Sequence, residues 1–145
     1  MNKLTHFTLN TRQALSTAQR EALLEQASTI DTHHLLIALI QLPIGQSTAA
    51  HILNGFNITV DKLRRTPQNN TIQSTQLDLS TAAKKVLERA TTIALERRET
   101  GITSAHLLAG LLADENILLM LTGIGTTVER VSQALNSLDD WTEGS

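Results

Sequence analysis

The sequence predicts an all-α fold, a duplicated four-helix repeat whose eight helices form one pseudo-two-fold bundle. Three observations predict it. Apolar residues recur at spacings of three and four along most of the chain, the period that lines one face of an α-helix. The only aromatic residues are Phe7, Phe56 and Trp141, so the core must be built from Leu, Ile, Val and Ala. The pattern of the first half then returns in the second.

Taken in order, the first helix is expected over 8–28, with Leu15, Ala18, Ala22 and Leu23 on its inner face and Arg12, Gln19, Arg20 and Glu25 opposite. A second, 32–41, starts at Thr32, whose hydroxyl can accept from an unpaired first-turn N–H. It carries His34, Leu35, Leu36, Leu39 and Ile40, and Pro43 and Gly45 close it. A third, 47–54, stops at Gly55, and a fourth, 59–65, turns Val60 and Leu63 inward. Helices this short do not persist alone in water because nucleation is costly, so they must pack on one another. The stretch 66–78, TPQNNTIQSTQLD, is polar with little to bury and reads as a linker.

Beyond it the pattern restarts. Shifting the chain by 72 positions lays Phe7 on Leu79, Leu15 on Leu87, Ala18 on Ala90, Ala22 on Ala94, Ile30 on Ile102, His34 on His106, Leu35 on Leu107 and Leu39 on Leu111. A four-residue deletion that removes the Pro43 loop changes the offset to 68, which lays Leu53 on Leu121, Gly55 on Gly123 and Val60 on Val128. The second set of helices is expected at 80–99, 104–112, 115–122 and 126–138, the last opened by a capping box of Thr126 and Glu129. The chain 1–145 is thus expected to be a single domain: repeat one over 7–65, linker 66–78, repeat two over 79–138 and a short acidic tail, 139–145.

Composition narrows the function. With Lys+Arg 12 against Asp+Glu 14 the net charge is −2, so no basic field gathers nucleic acid, and three aromatic residues cannot make a base-stacking platform. There is no cysteine, which excludes thiol catalysis, disulfides and cysteine-ligated zinc. No apolar run approaches the roughly 20 residues that cross a bilayer, and MNKLTHFTLN lacks the apolar stretch of a secretory signal. The expectation is a cytoplasmic protein. The acidic residues Glu21, Glu25, Asp61, Glu88, Glu96 and Glu99 read as solvated helix faces beside Arg or Lys rather than converging acid–base pairs. Neighbouring helix residues point about 100° apart, so His33 and His34 are not expected to converge on one ion. His34 and His106 hold equivalent places in the two repeats, which points to a shared structural task near a helix start. The expectation is a chain with no catalytic residues, no metal and no cofactor; a small metal-binding or hydrolytic protein using His33 and His34 is the alternative from another class.

The segments FTLNTRQALSTAQREA and IDTHHLLIAL, answered by STAAKKVLERATTIAL and ITSAHLLAGLL, resemble the duplicated N-terminal repeat domain of the Clp unfoldases over roughly 7–138. The resemblance implies a peripheral, ATP-independent module that recruits substrates and adaptor proteins to a ring-shaped AAA+ motor. No G-x-x-x-x-G-K-[ST] loop is present, so this chain carries no such motor. The expected partners are a Clp unfoldase, an adaptor or a substrate peptide, with no nucleic acid and no membrane. A stand-alone relative is favoured over the excised N-terminal domain of a full-length Clp ATPase. Members of the family that recognise phosphorylated arginine use an acidic residue in a T-E-H segment of each repeat. Here those positions are His33 and Ala105, neither of which offers a carboxylate to a guanidinium, so phosphoarginine binding is not expected. The resemblance places the candidate partner-binding positions near the repeat junction: Thr8, Leu9, Arg12, Thr32 and His33 from repeat one, with Ser80, Thr81, Lys84, Ser104 and Ala105 from repeat two. They are expected to line a groove between the two units.

Overall fold

The computed structural model describes residues 6–67 and 77–143. In chain order it contains β1 (His6–Phe7), α1 (Leu9–Glu25), α2 (Thr32–Ile40), α3 (Thr48–Gly55), α4 (Val60–Leu63), α5 (Thr81–Glu96), β2 (Gly101–Ile102), α6 (Ser104–Leu112), α7 (Glu115–Gly123) and α8 (Val128–Asn136). The fold is all-α, as the periodicity predicts. Most of the expected linker lies outside the described residues.

The helix ends differ from the sequence reading for local reasons. α1 stops at Glu25 instead of 28 because Gln26 turns left-handed at φ 62°, and the Ala27 N–H closes back onto the Ala22 carbonyl at 2.9 Å. Repeat two does the same: Arg98 has φ 61°, and the Glu99 N–H reaches the Ala94 carbonyl at 2.9 Å. Asp31, not Thr32, caps α2, and Thr103 caps α6. Thr127, not Thr126, caps α8, with its hydroxyl accepting from the Arg130 N–H at 3.1 Å. α4 is a single turn rather than 59–65, since the backbone at Arg64 is extended.

The two-residue strands were not expected, because they exist only where the repeats meet. His6 pairs in parallel with Gly101 and Phe7 with Ile102. At the equivalent place in the other copy, Ile30 bridges Leu79, with Ile30 N–H to Asp78 carbonyl and Ser80 N–H to Ile30 carbonyl both at 2.9 Å. The start of each repeat is therefore stitched to the residues before the second helix of the other. One continuous apolar core runs through both copies and includes Leu35, Leu36 and Leu39 from α2, Leu107, Leu108 and Leu111 from α6, Leu53, Ile117, Leu121 and Trp141. α5 and α6 approach closely at Gly110, where a Cβ would stand 2.7 Å from the Val86 carbonyl oxygen.

Candidate functional site

The ten junction positions divide by exposure. Leu9, Arg12, Thr81 and Lys84 are exposed and Ser80 is half-buried, whereas Thr8, Thr32, His33, Ser104 and Ala105 are buried. Most of the polar members make structural bonds. The Thr8 and Thr11 hydroxyls both donate to the Ile102 carbonyl, at 3.3 and 2.6 Å. Ser80 caps α5 by accepting from the Ala83 N–H at 3.0 Å, and its hydroxyl donates to Asp31 at 2.9 Å. The Thr32 hydroxyl accepts from the Asn116 side chain at 3.1 Å. Backbone pairing and these side-chain bonds tie the two units together at the junction. Thr8 lies at the margin of a cleft of about 290 Å³ whose wall includes His6, Gly101, Thr103 and Glu143.

Two of the acidic residues read as solvated are instead buried: Glu21 is 4% exposed and Glu25 6%. Arg64 grips Glu21 with both arms, at 3.1 and 2.8 Å, and the Gln41 amide donates to it at 2.9 Å, which joins α1 to the ends of α2 and α4. Burial alone would raise the Glu21 carboxyl. The bonds from Arg64 and Gln41 and the charges of Arg64 and Arg20 outweigh it and hold the carboxyl below its ordinary range.

Glu25 corrects the expectation that His33 and His34 diverge. Their rings lie 3.9 Å apart, and both Nε2 atoms converge on Glu25 Oε1, at 2.6 Å from His33 and 3.0 Å from His34. Helix spacing alone does not reveal this, because Glu25 comes from α1 and sits where two divergent imidazoles can still reach it. Burial again works to raise Glu25, and the His33 and His34 contacts more than offset it, leaving the carboxyl low. These are the only three described residues whose ligand-type atoms cluster within 4.8 Å of one another. The proton arrangement does not suit a metal. His34 Nδ1 accepts the Asp31 N–H at 2.9 Å, so the neutral ring carries its proton on Nε2 and donates it to Glu25. A cation on Nε2 would need that proton moved to Nδ1, against the Asp31 N–H. The cluster is a hydrogen-bonded carboxylate held by two imidazoles, and His33 Nδ1 is left buried without a hydrogen-bond partner.

His34 and His106 do share one task. His106 Nδ1 accepts the Thr103 N–H at 2.9 Å while its Nε2 donates to Glu99 at 2.6 Å, the same arrangement as His34 between Asp31 and Glu25. Each histidine takes the place of the Glu or Gln that completes a capping box. Burial holds both imidazoles below their ordinary range, against the pull of Glu25 on His34 and of Glu99 on His106.

The segment after α8 docks on the body. Trp141 is 3% exposed, its indole N–H donates to the carbonyls of Leu135 and Leu138 at 3.1 Å, and the Arg97 guanidinium stacks 3.8 Å over its ring. Beyond it, Glu143 reaches the junction of α3, α6 and α1. A lone Trp in an acidic tail gives the sequence reader one hint of docking. Nothing in the sequence marks Glu143, because its partners come together only in three dimensions.

The comparisons with known proteins agree with this architecture. The family profile of the Clp repeat (R) N-terminal domain matches residues 6–121 and 78–140. A ClpC ATP-binding subunit of an ATP-dependent Clp protease from Staphylococcus epidermidis is 33% identical over 107 residues, covering 71% of this chain and 13% of the relative. The chain therefore corresponds to a small fraction of that relative's length. Among solved structures, the N-terminal domain of the chaperone ClpD from Arabidopsis thaliana superposes with a TM-score of 0.73 at 22% identity, covering 90% of this chain and 92% of that one. The Hsp104 N-terminal domain from Candida albicans gives 0.65 at 19% identity, with 94% and 93% covered.

Proposed function

The chain belongs to the Clp repeat N-terminal domain family, and from that premise we propose that it is a non-catalytic protein-binding module of the Clp chaperone–protease system. In this reading it binds a Clp ATPase, an adaptor or a substrate polypeptide in the cytoplasm and modulates which proteins reach the motor. The observation that carries it is that the family match and the fold both span nearly the whole described chain, with no ATPase loop in the sequence. The surface chemistry supports it. The buried polar groups, Glu21, Glu25, His34 and His106, are engaged in holding helices together, while large apolar side chains stand out: Leu9 is 51% exposed, Leu24 61% and Leu119 66%. Exposed leucines, Leu9 one helical turn from Arg12 among them, suit contact with protein chains better than chemistry on a small molecule.

The test is retention of a Clp ATPase or its peptidase from native lysate on the immobilised chain, quantified by mass spectrometry, with Arg12→Glu/Lys84→Glu as a surface control that leaves the core untouched. Enrichment of either component, reduced by the double substitution, is the expected result. Retention of neither would overturn the reading.

A further inference from the structure

At the repeat junction two helices begin face to face, and a carboxylate from another part of the chain sits between them. Glu143 Oε2 accepts from the Thr48 N–H, the first residue of α3, at 2.8 Å, and from the Ser104 hydroxyl. Its Oε1 accepts from the Ser104 N–H, the first residue of α6, at 3.0 Å, and from the Asn10 side-chain amide of α1 at 3.1 Å. Four donors from three helices thus converge on one carboxylate. The receiving groups are built in. Ser104 is fully buried and Asn10 is 6% exposed. Ser104 Oγ is fixed by the Ser47 hydroxyl at 2.9 Å and the Ala49 N–H at 3.3 Å, and the Asn10 amide also donates to the Gln46 carbonyl at 2.8 Å.

Electrostatics explain why an anion belongs there. The N-terminus of a helix carries unpaired N–H groups and about half a positive charge, and two such ends in contact repel unless an anion lies between them. Neither α3 nor α6 has an acidic residue in its first turn. The corresponding junction of the other repeat needs no such visitor: α2 is capped by Asp31, while α7 is capped by Asp114 and carries Glu115 in its first turn. The α3–α6 end is therefore charge-deficient by itself, and Glu143 supplies what the fold elsewhere takes from its own caps.

The segment that supplies it lies near the surface beyond Trp141. Thr142 is exposed and Glu143 half-buried, and both residues lie in the walls of two clefts, of about 290 and 450 Å³, one towards Thr8 and Gly101, the other towards Ile44 and His51. Lifting Thr142 and Glu143 away would join the clefts across the four donors.

We propose that Thr142–Glu143 is an internal stand-in for an external ligand, and that the Thr48–Ser104–Asn10 site receives the carboxylate of an acidic segment of a partner protein when this strap is released. The source of the carboxylate rests on the protein-binding reading above; the site and its internal occupant do not. Ser104, one of the junction positions singled out by sequence, then acts as an anion donor. Asn10, Thr48 and Glu143 join it as positions the sequence did not indicate.

The experiment follows the backbone amides of Thr48 and Ser104 by two-dimensional NMR in the full chain and its Glu143→Ala variant, with Trp141 fluorescence reporting that the preceding residues stay docked. The probe is the acetylated peptide DDWTEGS, the chain's own residues 139–145, added in trans. Loss of the carboxylate should move both amide resonances upfield in Glu143→Ala. The peptide should return them in a saturable manner, while the same peptide with Gln in place of its Glu leaves them unmoved. Asn10→Ala added to Glu143→Ala should weaken the peptide several-fold, and the parent chain should respond least because its site is filled. Amides indifferent to Glu143→Ala, or vacated amides that answer the Gln peptide equally, would overturn the proposal. Retention of a Clp component in the lysate experiment is read separately, so either idea can fail while the other stands.

Discussion

The histidines that open α2 and α6 each make two demands on one ring: Nδ1 must accept the amide of the N-cap residue while Nε2–H donates to a carboxylate, buried Glu25 or half-buried Glu99. Protonation puts a hydrogen on Nδ1 and breaks the first bond. Because both imidazoles titrate below their ordinary 6.5 in the folded chain, the unfolded chain takes up protons first as the pH falls. Their contribution to stability is complete above about pH 6.5 and is lost progressively below it; the low Glu25 and Glu21 carboxyls add a second loss below about pH 4.5. The urea midpoint is therefore expected to drop between about pH 7.5 and about pH 5.5. His106→Gln, which restores the usual capping-box acceptor, should flatten that drop and exceed His106→Ala in stability by about 1 kcal/mol, as urea titrations at the two pH values would show. Glu25→Ala strands two buried imidazole N–H groups and should cost about 3 kcal/mol by the same measurement; a cost under about 1 kcal/mol would mean water replaces the carboxylate.

At the scale of elements, the two repeats solve helix packing with different side chains. The register that lays Ala38 on Gly110 also lays Ala14 on Val86, so repeat one has two methyl groups where repeat two has a valine and no side chain. From sequence alone Gly110→Ala looks conservative, and it even improves helix propensity. The structure says otherwise, since the new Cβ would meet the Val86 carbonyl oxygen at 2.7 Å and the Ala90 nitrogen at 3.4 Å, both backbone atoms that cannot rotate away. Gly110→Ala should lower stability by about 1–3 kcal/mol in thermal or urea unfolding, and Val86→Ala should fail to rescue it because the obstruction is main chain. Rescue by Val86→Ala would show that the helices separate more easily than this contact implies.

For the whole molecule, the question is whether two copies of one unit behave as one. Leu36 of repeat one and Leu108 of repeat two are both fully buried in the same apolar cluster, and each copy is stitched to the other by parallel backbone pairing. Leu36→Ala or Leu108→Ala should each cost about 2–5 kcal/mol and leave one cooperative transition. The single Trp141 makes this checkable, because its environment is α8 and Arg97 in the second half. In Leu36→Ala, the fluorescence of Trp141 should lose its native value at the same lowered midpoint as the helical circular dichroism. A fluorescence midpoint that stays at the parent value would mean the halves unfold apart.

Periodicity and self-similarity determined, without any structure, that this chain is a duplicated helical bundle and much of its core, Ala18, Ala22, Leu35, Leu36 and Leu39 among it, although Leu15 and Leu23, expected on the inner face of α1, are only half-buried; the repeat of His34 at His106 also disclosed a shared helix-start task. Those features are legible because they depend on neighbours within a few residues, which the sequence lists in order. The burial of Glu21 and Glu25, the convergence of His33 and His34 on one carboxylate oxygen, the strands between copies and the seat of Glu143 between α3 and α6 were decided only by tertiary structure. Each joins groups from separate elements of the chain, Glu143 meeting Asn10 across 133 positions. Whether a charge is solvated or bound depends on what the fold brings opposite it, and no local pattern carries that information.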